Sequence, residues 1–199
     1  MEQFYIITNR LKDKDYKITQ EIKAYIEQNK KVCILSQKDA LGHIIPESIP
    51  EDVECALVLG GDGTLIRAAR ELGGYNIPLL GINLGTLGYL AEVELKECKA
   101  ALDMLFKGTP DIEERMMIQG TVDQVVSDMA LNDIVLTREG GLRVVQFDVY
   151  VNGTLLNTYL ADGLIISTPT GTTGYNLSAG GPVVEPTASM FVLTPISVS

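Results

Sequence analysis

Three stretches of the chain hold residues whose types and spacing can do chemistry. The first is Gly60-Gly61-Asp62-Gly63-Thr64. Glycines remove the Cβ atoms that keep a phosphate away from backbone N–H groups, and a helix starting here would add its positive end. An aspartate among such donors needs a reason. Asp62 can accept a proton from an attacking hydroxyl or bind Mg²⁺ beside the phosphates, and these residues alone support either role. A purely structural turn would use Asp62 or Thr64 as a helix cap, which does not call for glycines on both sides of a carboxylate.

The second stretch is Asn132-Asp133, set between Ala130-Leu131 and Ile134-Val135-Leu136. A polar pair that interrupts a strand faces solvent, pairs with a neighbour or binds a ligand. The third runs over 160–184, L-A-D-G-L-I-I-S-T-P-T-G-T-T-G-Y-N-L-S-A-G-G-P-V-V. Its small hydroxyls and exposed N–H groups suit ribose hydroxyls and phosphates. Tyr175 offers a face for a base or an amide, and Asp162 an acceptor for an amino group or a sugar. An extended hairpin loop of turn formers is the plain alternative, but the run is long and poor in charge for a solvated loop.

These residues need elements to hold them. Residues 56–59 have the length of a buried strand, and 65–72 carry Leu65, Ala68, Ala69 and Leu72 at helical spacing. Upstream, 4–7 and 32–35 read as strands flanking a helix over 15–28, with Ile18, Ile22, Tyr25 and Ile26 on one face. Strand, helix, strand begins a parallel α/β layer. The segment 36–52 reads as a loop, and its His43, the sole histidine, is assigned nothing. A fourth strand at 79–82 runs into Asn83-Leu84-Gly85-Thr86-Leu87-Gly88-Tyr89-Leu90. Loops at the carboxyl ends of parallel strands border the ligand crevice, so the turns at Gly60 and Gly85 are expected to face one another. A helix over 94–106 follows, with Leu95, Cys98, Ala101, Leu102 and Leu105 on one face, closed by Gly108 and Pro110.

Beyond Pro110 the pattern changes, which places a boundary between an α/β domain, 1–112, and a β-rich domain, 113–199. Residues 118–126 and 129–137 read as strands. Val145, Phe147, Val149 and Val151 alternate with Val144, Gln146, Asp148 and Tyr150, and Asn152-Gly153 is a strong hairpin signal into 155–160. Glu139-Gly140-Gly141 is a further turn. Strands joined by tight turns imply an antiparallel layer.

The net charge of −10 argues against nucleic acid or an anionic membrane as partner. It also means that a phosphate site here needs local cations or a bound metal, and Arg67 and Arg70 are the nearby candidates. Cys33, Cys55 and Cys98 are scattered without metal-ligand or disulfide spacing, which points to a reducing, cytoplasmic setting. The first residues lack the pattern of a secretory signal, and no apolar run approaches the roughly 20 residues of a membrane span.

Taken in order, GGDGT, N-L-G-x-L-G-Y, L-N-D and ADGLIISTPTGTTGYNLSAGGP resemble the NAD kinases, which phosphorylate the adenosine ribose 2′-hydroxyl of NAD. GGDGT alone is shared with diacylglycerol, sphingosine and 6-phosphofructo-kinases; the order of motifs sets this family apart. The resemblance runs from the first strand to the last residue. It implies an α/β domain and a sandwich-like antiparallel β-rich domain with the active site between them. It also implies ATP, or polyphosphate in some members, as donor with Mg²⁺ or another divalent cation, and a homo-oligomer, dimer or tetramer.

By position, Asp62 resembles the catalytic aspartate acting as general base, and Gly60, Gly61 and Gly63, with Thr64, the phosphate-facing turn. Tyr89 falls where an aromatic lines the adenine pocket, and Asn132 and Asp133 match a pair contacting ribose and the adenine side. Asp162 matches an acidic residue near the nicotinamide end. Thr170, Thr173, Gly174, Tyr175 and Ser178 complete the nucleotide set. Gly174 departs from the usual alanine, a change expected to enlarge the pocket slightly. Family members continue past Ser199 through further strands, so the β-rich domain is expected to be truncated. A catalytically silent nucleotide-binding or subunit-interaction module is therefore the alternative to an active enzyme. A lipid kinase sharing GGDGT is disfavoured by the 160–184 run.

Overall fold

The computed structural model describes residues 1–86, 88–108, 110–140 and 144–197. Leu87 of the second glycine turn and Gly141 of the Glu139-Gly140-Gly141 turn lie outside the described residues. The chain divides into two compact units, Met1–Ile112 and Glu113–Ser199.

The first unit runs β1 (Gln3–Thr8), α1 (Lys17–Gln28), β2 (Val32–Leu35), β3 (Cys55–Gly60), α2 (Asp62–Leu72), β4 (Leu79–Asn83), β5 (Val93–Glu94) and α3 (Cys98–Lys107). All five strands are parallel, in the order β2-β1-β3-β4-β5. The strand residues explain the layering. Phe4 and Ile6 of β1 and Cys55, Leu57 and Leu59 of β3 meet α1 and α3 through Ile22, Ile26, Leu102 and Leu105. Tyr5, Ile7, Ala56 and Val58 face the other way and meet Leu65, Ala68 and Leu72 of α2, with Ile44 and Val53 of the long loop. A sheet covered on both faces needs both residue sets apolar, which is why these strands read as continuous apolar runs. Each such buried leucine or isoleucine contributes about 1.5–3 kcal/mol.

From β1 the chain moves to β2 on one side, whereas β3, β4 and β5 extend to the other. The carboxyl ends of β1 and β3 therefore flank the switch point where open α/β sheets form their crevice.

Two helices start later than their periodicity predicts. Asp15 and Tyr16 take positive φ, 60° and 56°, so α1 begins at Lys17. Its first turn is held by the Asp13 carboxylate, which accepts the N–H groups of Ile18 (3.0 Å) and Thr19 (2.8 Å). The helix expected over 94–106 loses its first turn because Val93–Glu94 pairs with β4 and Leu95–Glu97 forms a tighter 3₁₀ turn. Leu95 is exposed as a result.

The second unit contains β6 (Ile118–Val122), β7 (Val125–Ala130), β8 (Asp133–Thr137), β9 (Val145–Val151), β10 (Thr154–Ala161), β11 (Gly163–Ser167), α4 (Tyr175–Ser178) and β12 (Val192–Ile196). Its described strands pair antiparallel as the hairpins β6-β7 and β9-β10 and the sheet β12-β11-β8. Asn152-Gly153 turns with φ of 49° and 80°, the positive pair a type I′ hairpin demands. The strands expected at 118–126 and 129–137 are divided differently. Asp123 and Gln124 adopt φ of 49° and 65° and reverse the chain inside the first, while the second breaks at 131–132. Among the described residues no helix is long and apolar enough to cross a membrane.

Candidate functional site

In the first unit, β3 is buried along its whole length and delivers Gly60-Gly61 to the start of α2. A Cβ on Gly60 would lie 2.3 Å from Thr64 Oγ1, so only glycine lets the helix begin so close to the strand. No side chain caps α2; Thr64 Oγ1 instead accepts a hydrogen bond from Asn9 Nδ2 (3.1 Å). The Thr64 N–H is taken by Gly61 O (2.9 Å), while among the described residues those of Asp62 and Gly63 remain open to an anion.

Asp62 belongs to that first turn but looks away from it. The N–H of Tyr89 donates to Oδ2 (2.7 Å), and those of Leu90 and Ala91 to Oδ1 (3.1 and 2.9 Å). Gly88 makes this possible, since a Cβ there would fall 2.1 Å from Asp62 Oδ1. Burial alone would raise the carboxyl's pKa. The N–H groups of Ala91, Tyr89 and Leu90 and the charge of Lys12 outweigh it and hold the pKa below the usual carboxylate value.

The two glycine turns adjoin, as their register dictates. Gly60 pairs with Asn83, the N–H of Leu84 donates to Gly60 O (2.8 Å), and buried Asn83 shapes the second turn by bonding Thr86 O (2.7 Å) and the N–H of Gly85 (2.8 Å). Tyr89 lends its backbone to Asp62 while the residue as a whole stays exposed.

Sequence reasoning missed the cation here. Lys12, on the loop after β1, holds its Nζ 2.9 Å from where a Cβ of Gly61 would be and 3.2 Å from that of Gly85. The acidic balance of the chain demands such a charge, but Lys12 sits in a loop without a motif of its own, on the other side of the switch point. Arg67 is engaged elsewhere: its Nε donates to Glu71 (2.9 Å) and its Nη2 to Gly42 O. Arg70 lies on the exposed side of α2.

In the second unit, antiparallel pairing sets Asp133 opposite Ser167. Asn132 precedes β8, so the pair ends a gap between strands rather than interrupting one. The N–H of Thr168 donates to Asn132 O (2.8 Å) and its hydroxyl to Leu131 O (2.5 Å). A Cβ on Gly171 would lie 2.1 Å from Asn132 O, so the 168–171 backbone is pressed onto Asn132. Among the described residues, the buried Asn132 Oδ1 has no hydrogen-bond partner. Burial pushes the Asp133 carboxyl pKa up. An unpaired buried acceptor and a desolvated carboxylate are both costly, and both would gain from a ligand's N–H or O–H groups.

The 160–184 run is not an extended loop. After β11 it winds into a 3₁₀ turn, Thr170–Thr173, and then α4. Several of its polar groups are consumed by that fold. Thr172 Oγ1 donates to Pro169 O (2.6 Å) and accepts the N–H of Val184 (3.1 Å). Buried Asn176 bonds Thr172 O, Pro182 O and the Thr194 hydroxyl (3.2, 2.8 and 2.6 Å). Of the expected nucleotide contacts, Thr170 is buried with Arg115 Nη1 3.4 Å from its hydroxyl, and Thr173 bonds Thr170 O (3.3 Å). Tyr175 and Ser178 are exposed. A Cβ on Gly174 would lie 3.3 Å from Gly171 O and 3.6 Å from Asn132 Nδ2, so glycine leaves space beside Asn132. Asp162 stands apart: it precedes Gly163, at the opposite end of β11 from Ser167, and pairs with Arg138 Nε (3.0 Å).

The fold is that of nucleotide-binding kinases. It matches yeast NADH kinase, solved with NADH, with a TM-score of 0.82 at 24% identity, covering 100% of this chain and 66% of that one. It matches an NAD kinase from Archaeoglobus fulgidus, solved with ATP, with a TM-score of 0.75 at 25% identity, covering 98% and 72%. The model of the ATP-NAD kinase N-terminal domain matches residues 7–109 and that of the C-terminal domain residues 131–198. The chain belongs to the ATP-NAD kinase family. Among curated relatives, the NAD kinase of Lachnospira eligens is 46% identical over 98% of this chain and 70% of its own length. That of Lachnoclostridium phytofermentans is 47% identical over 98% and 72%.

Proposed function

We propose that the chain transfers the γ-phosphoryl group of ATP to the adenosine ribose 2′-hydroxyl of NAD, giving NADP and ADP. The observation that carries this reading is the Asp62 carboxylate, held ionised by three backbone N–H groups beside two glycine turns. A carboxylate offers about four lone-pair sites, so one remains for the substrate. The 2′-oxygen attacks the γ-phosphorus, its proton passes to Asp62, and the bond to the bridging oxygen of ADP breaks. The open N–H groups of α2 and the Gly60, Gly61 and Gly63 backbone cradle the donor. Asn132 and Asp133 receive the ribose and adenine side of NAD, with Tyr89, Thr170, Thr173, Gly174, Tyr175 and Ser178 as further contacts and Asp162 toward the nicotinamide. The relatives' names and the solved complexes with NADH and ATP support these substrates.

Among the described residues no three His, Cys, Asp or Glu side chains form a metal cluster. That donor set fits a cation carried by the donor phosphates with Asp62 as a protein oxygen, as Mg²⁺ commonly binds. The ion would neutralise phosphate charge. The same three hydrogen bonds weaken Asp62 as a base, which favours a second reading in which its carboxylate is a metal ligand. Mn²⁺ binding measured with ATP separates the two: loss in Asp62→Asn supports the ligand, retention the base. We also read 1–112 and 113–199 as the functional domains, in a cytoplasmic homo-oligomer.

Incubation with NAD and Mg·ATP, followed by an NADP-specific assay, tests the proposal. NADP bearing a 2′-phosphate is the expected product. NAD binding without turnover would instead favour a nucleotide-binding module.

A further inference from the structure

We propose that Lys12 grips the terminal phosphates of the phosphoryl donor. The inference rests on the phosphotransferase reading above and names a residue that neither the motifs nor the sequence reading assigned. Lys12 is placed by its backbone rather than by its own side chain. Asn9 is tied to β3 through its N–H to Leu59 O (2.9 Å) and to Thr64 through its amide (3.1 Å). The carbonyl of Asn9 then accepts the N–H groups of both Lys12 and Asp13 (each 3.0 Å). Asp13 is buried and bound to the start of α1. The loop is therefore pinned at both sides of Lys12, to the Gly60 turn and to α1.

The side chain has the Asp62 carboxylate as an electrostatic neighbour, whose pKa it helps to lower, but makes no direct bond to it. It is exposed, and among the described residues no acceptor hydrogen-bonds its ammonium and no carboxylate lies within ion-pair distance of it. Yet it does not extend into solvent: Nζ lies over Gly61 and Gly85 together. A Cβ on Gly61 would displace it, and one on Gly85 would press against it. An ammonium over two glycine turns, beside the N–H groups of Asp62 and Gly63 at the start of α2, matches a phosphate carrying more than one negative charge. It also supplies the local cation that the acidic chain otherwise lacks at this point.

Calorimetric titration of the full chain and its Lys12→Met and Lys12→Arg variants with Mg·ATP, inorganic tripolyphosphate, AMP and NAD tests this. Lys12→Met should weaken ATP and tripolyphosphate by about 10–100-fold, the range of a charge-assisted hydrogen bond. AMP and NAD should bind as before, the melting temperature should not move, and Lys12→Arg should recover most of the loss. Unchanged tripolyphosphate affinity in Lys12→Met, or no tripolyphosphate binding to the unchanged chain, overturns the assignment. So does an equal loss of AMP. Failure of the phosphotransferase reading looks different: no NADP forms while tripolyphosphate binding still depends on Lys12.

Discussion

The Gly60 turn of the first unit and the Asn132 region of the second solve opposite problems. At the turn a half-buried charge is held in place, with Asp62 receiving three N–H groups from 89–91 and its pKa held down. Around Asn132 polar groups are left wanting: among the described residues the buried Oδ1 has no partner, and partial burial pushes the Asp133 carboxyl pKa up. Preorganised charge costs nothing to rearrange when a reaction needs it. Unsatisfied polarity costs stability until a ligand satisfies it. Under the proposed function, the difference fits chemistry in the first region and recognition in the second.

The sharpest way to break this contrast is Gly88→Ala. The added Cβ, 2.1 Å from Asp62 Oδ1, must drive the carboxylate off its N–H groups. NADP formation should fall roughly a hundredfold or more, the cost of losing a preorganised contact. Overpacking should also lower stability by about 1–3 kcal/mol. Normal turnover in a folded Gly88→Ala chain would mean that Asp62 need not be held.

Asn132→Leu should do the reverse. Removing an acceptor that has no partner among the described residues should leave the melting temperature level or higher, while NAD affinity drops about 10–100-fold, since the ligand's donor loses its acceptor. A stability loss without a binding loss would make Asn132 structural.

Asp133→Asn is the mildest change. Because burial raises the folded-state pKa, ionised Asp133 opposes folding at neutral pH, and the penalty fades as pH falls from the raised folded value toward the unfolded value near about 4, below which it is gone. The variant should melt a few degrees higher at neutral pH, with the gain shrinking in acid. Asp62 has the opposite sign. Its lowered pKa contributes stability above its unfolded value, lost only as pH falls through the depressed folded value.

Much of this was legible in the residues. Continuous apolar strands, helical spacing in α2 and Asn152-Gly153 follow from local chemistry, and the fold class and motif order came with them. Three things were not. Gly88 and Lys12 matter through close approaches between segments far apart in sequence, which no local pattern encodes. Asp123-Gln124 turns a chain whose residues favour a strand. The polar run after β11 resembles a loop because it is rich in turn formers, yet Thr172 and Asn176 spend those groups inside their own fold. Composition alone does not separate polar side chains kept for a ligand from those used by the fold.

The division between chemistry and recognition is tested most directly by Asp62→Asn, with NAD binding measured by calorimetry beside NADP formation. The account predicts that turnover falls by about 10²–10⁴-fold, the range for a lost acid–base group, while NAD affinity changes less than about threefold. Turnover that survives, or NAD affinity that collapses along with it, would contradict the account.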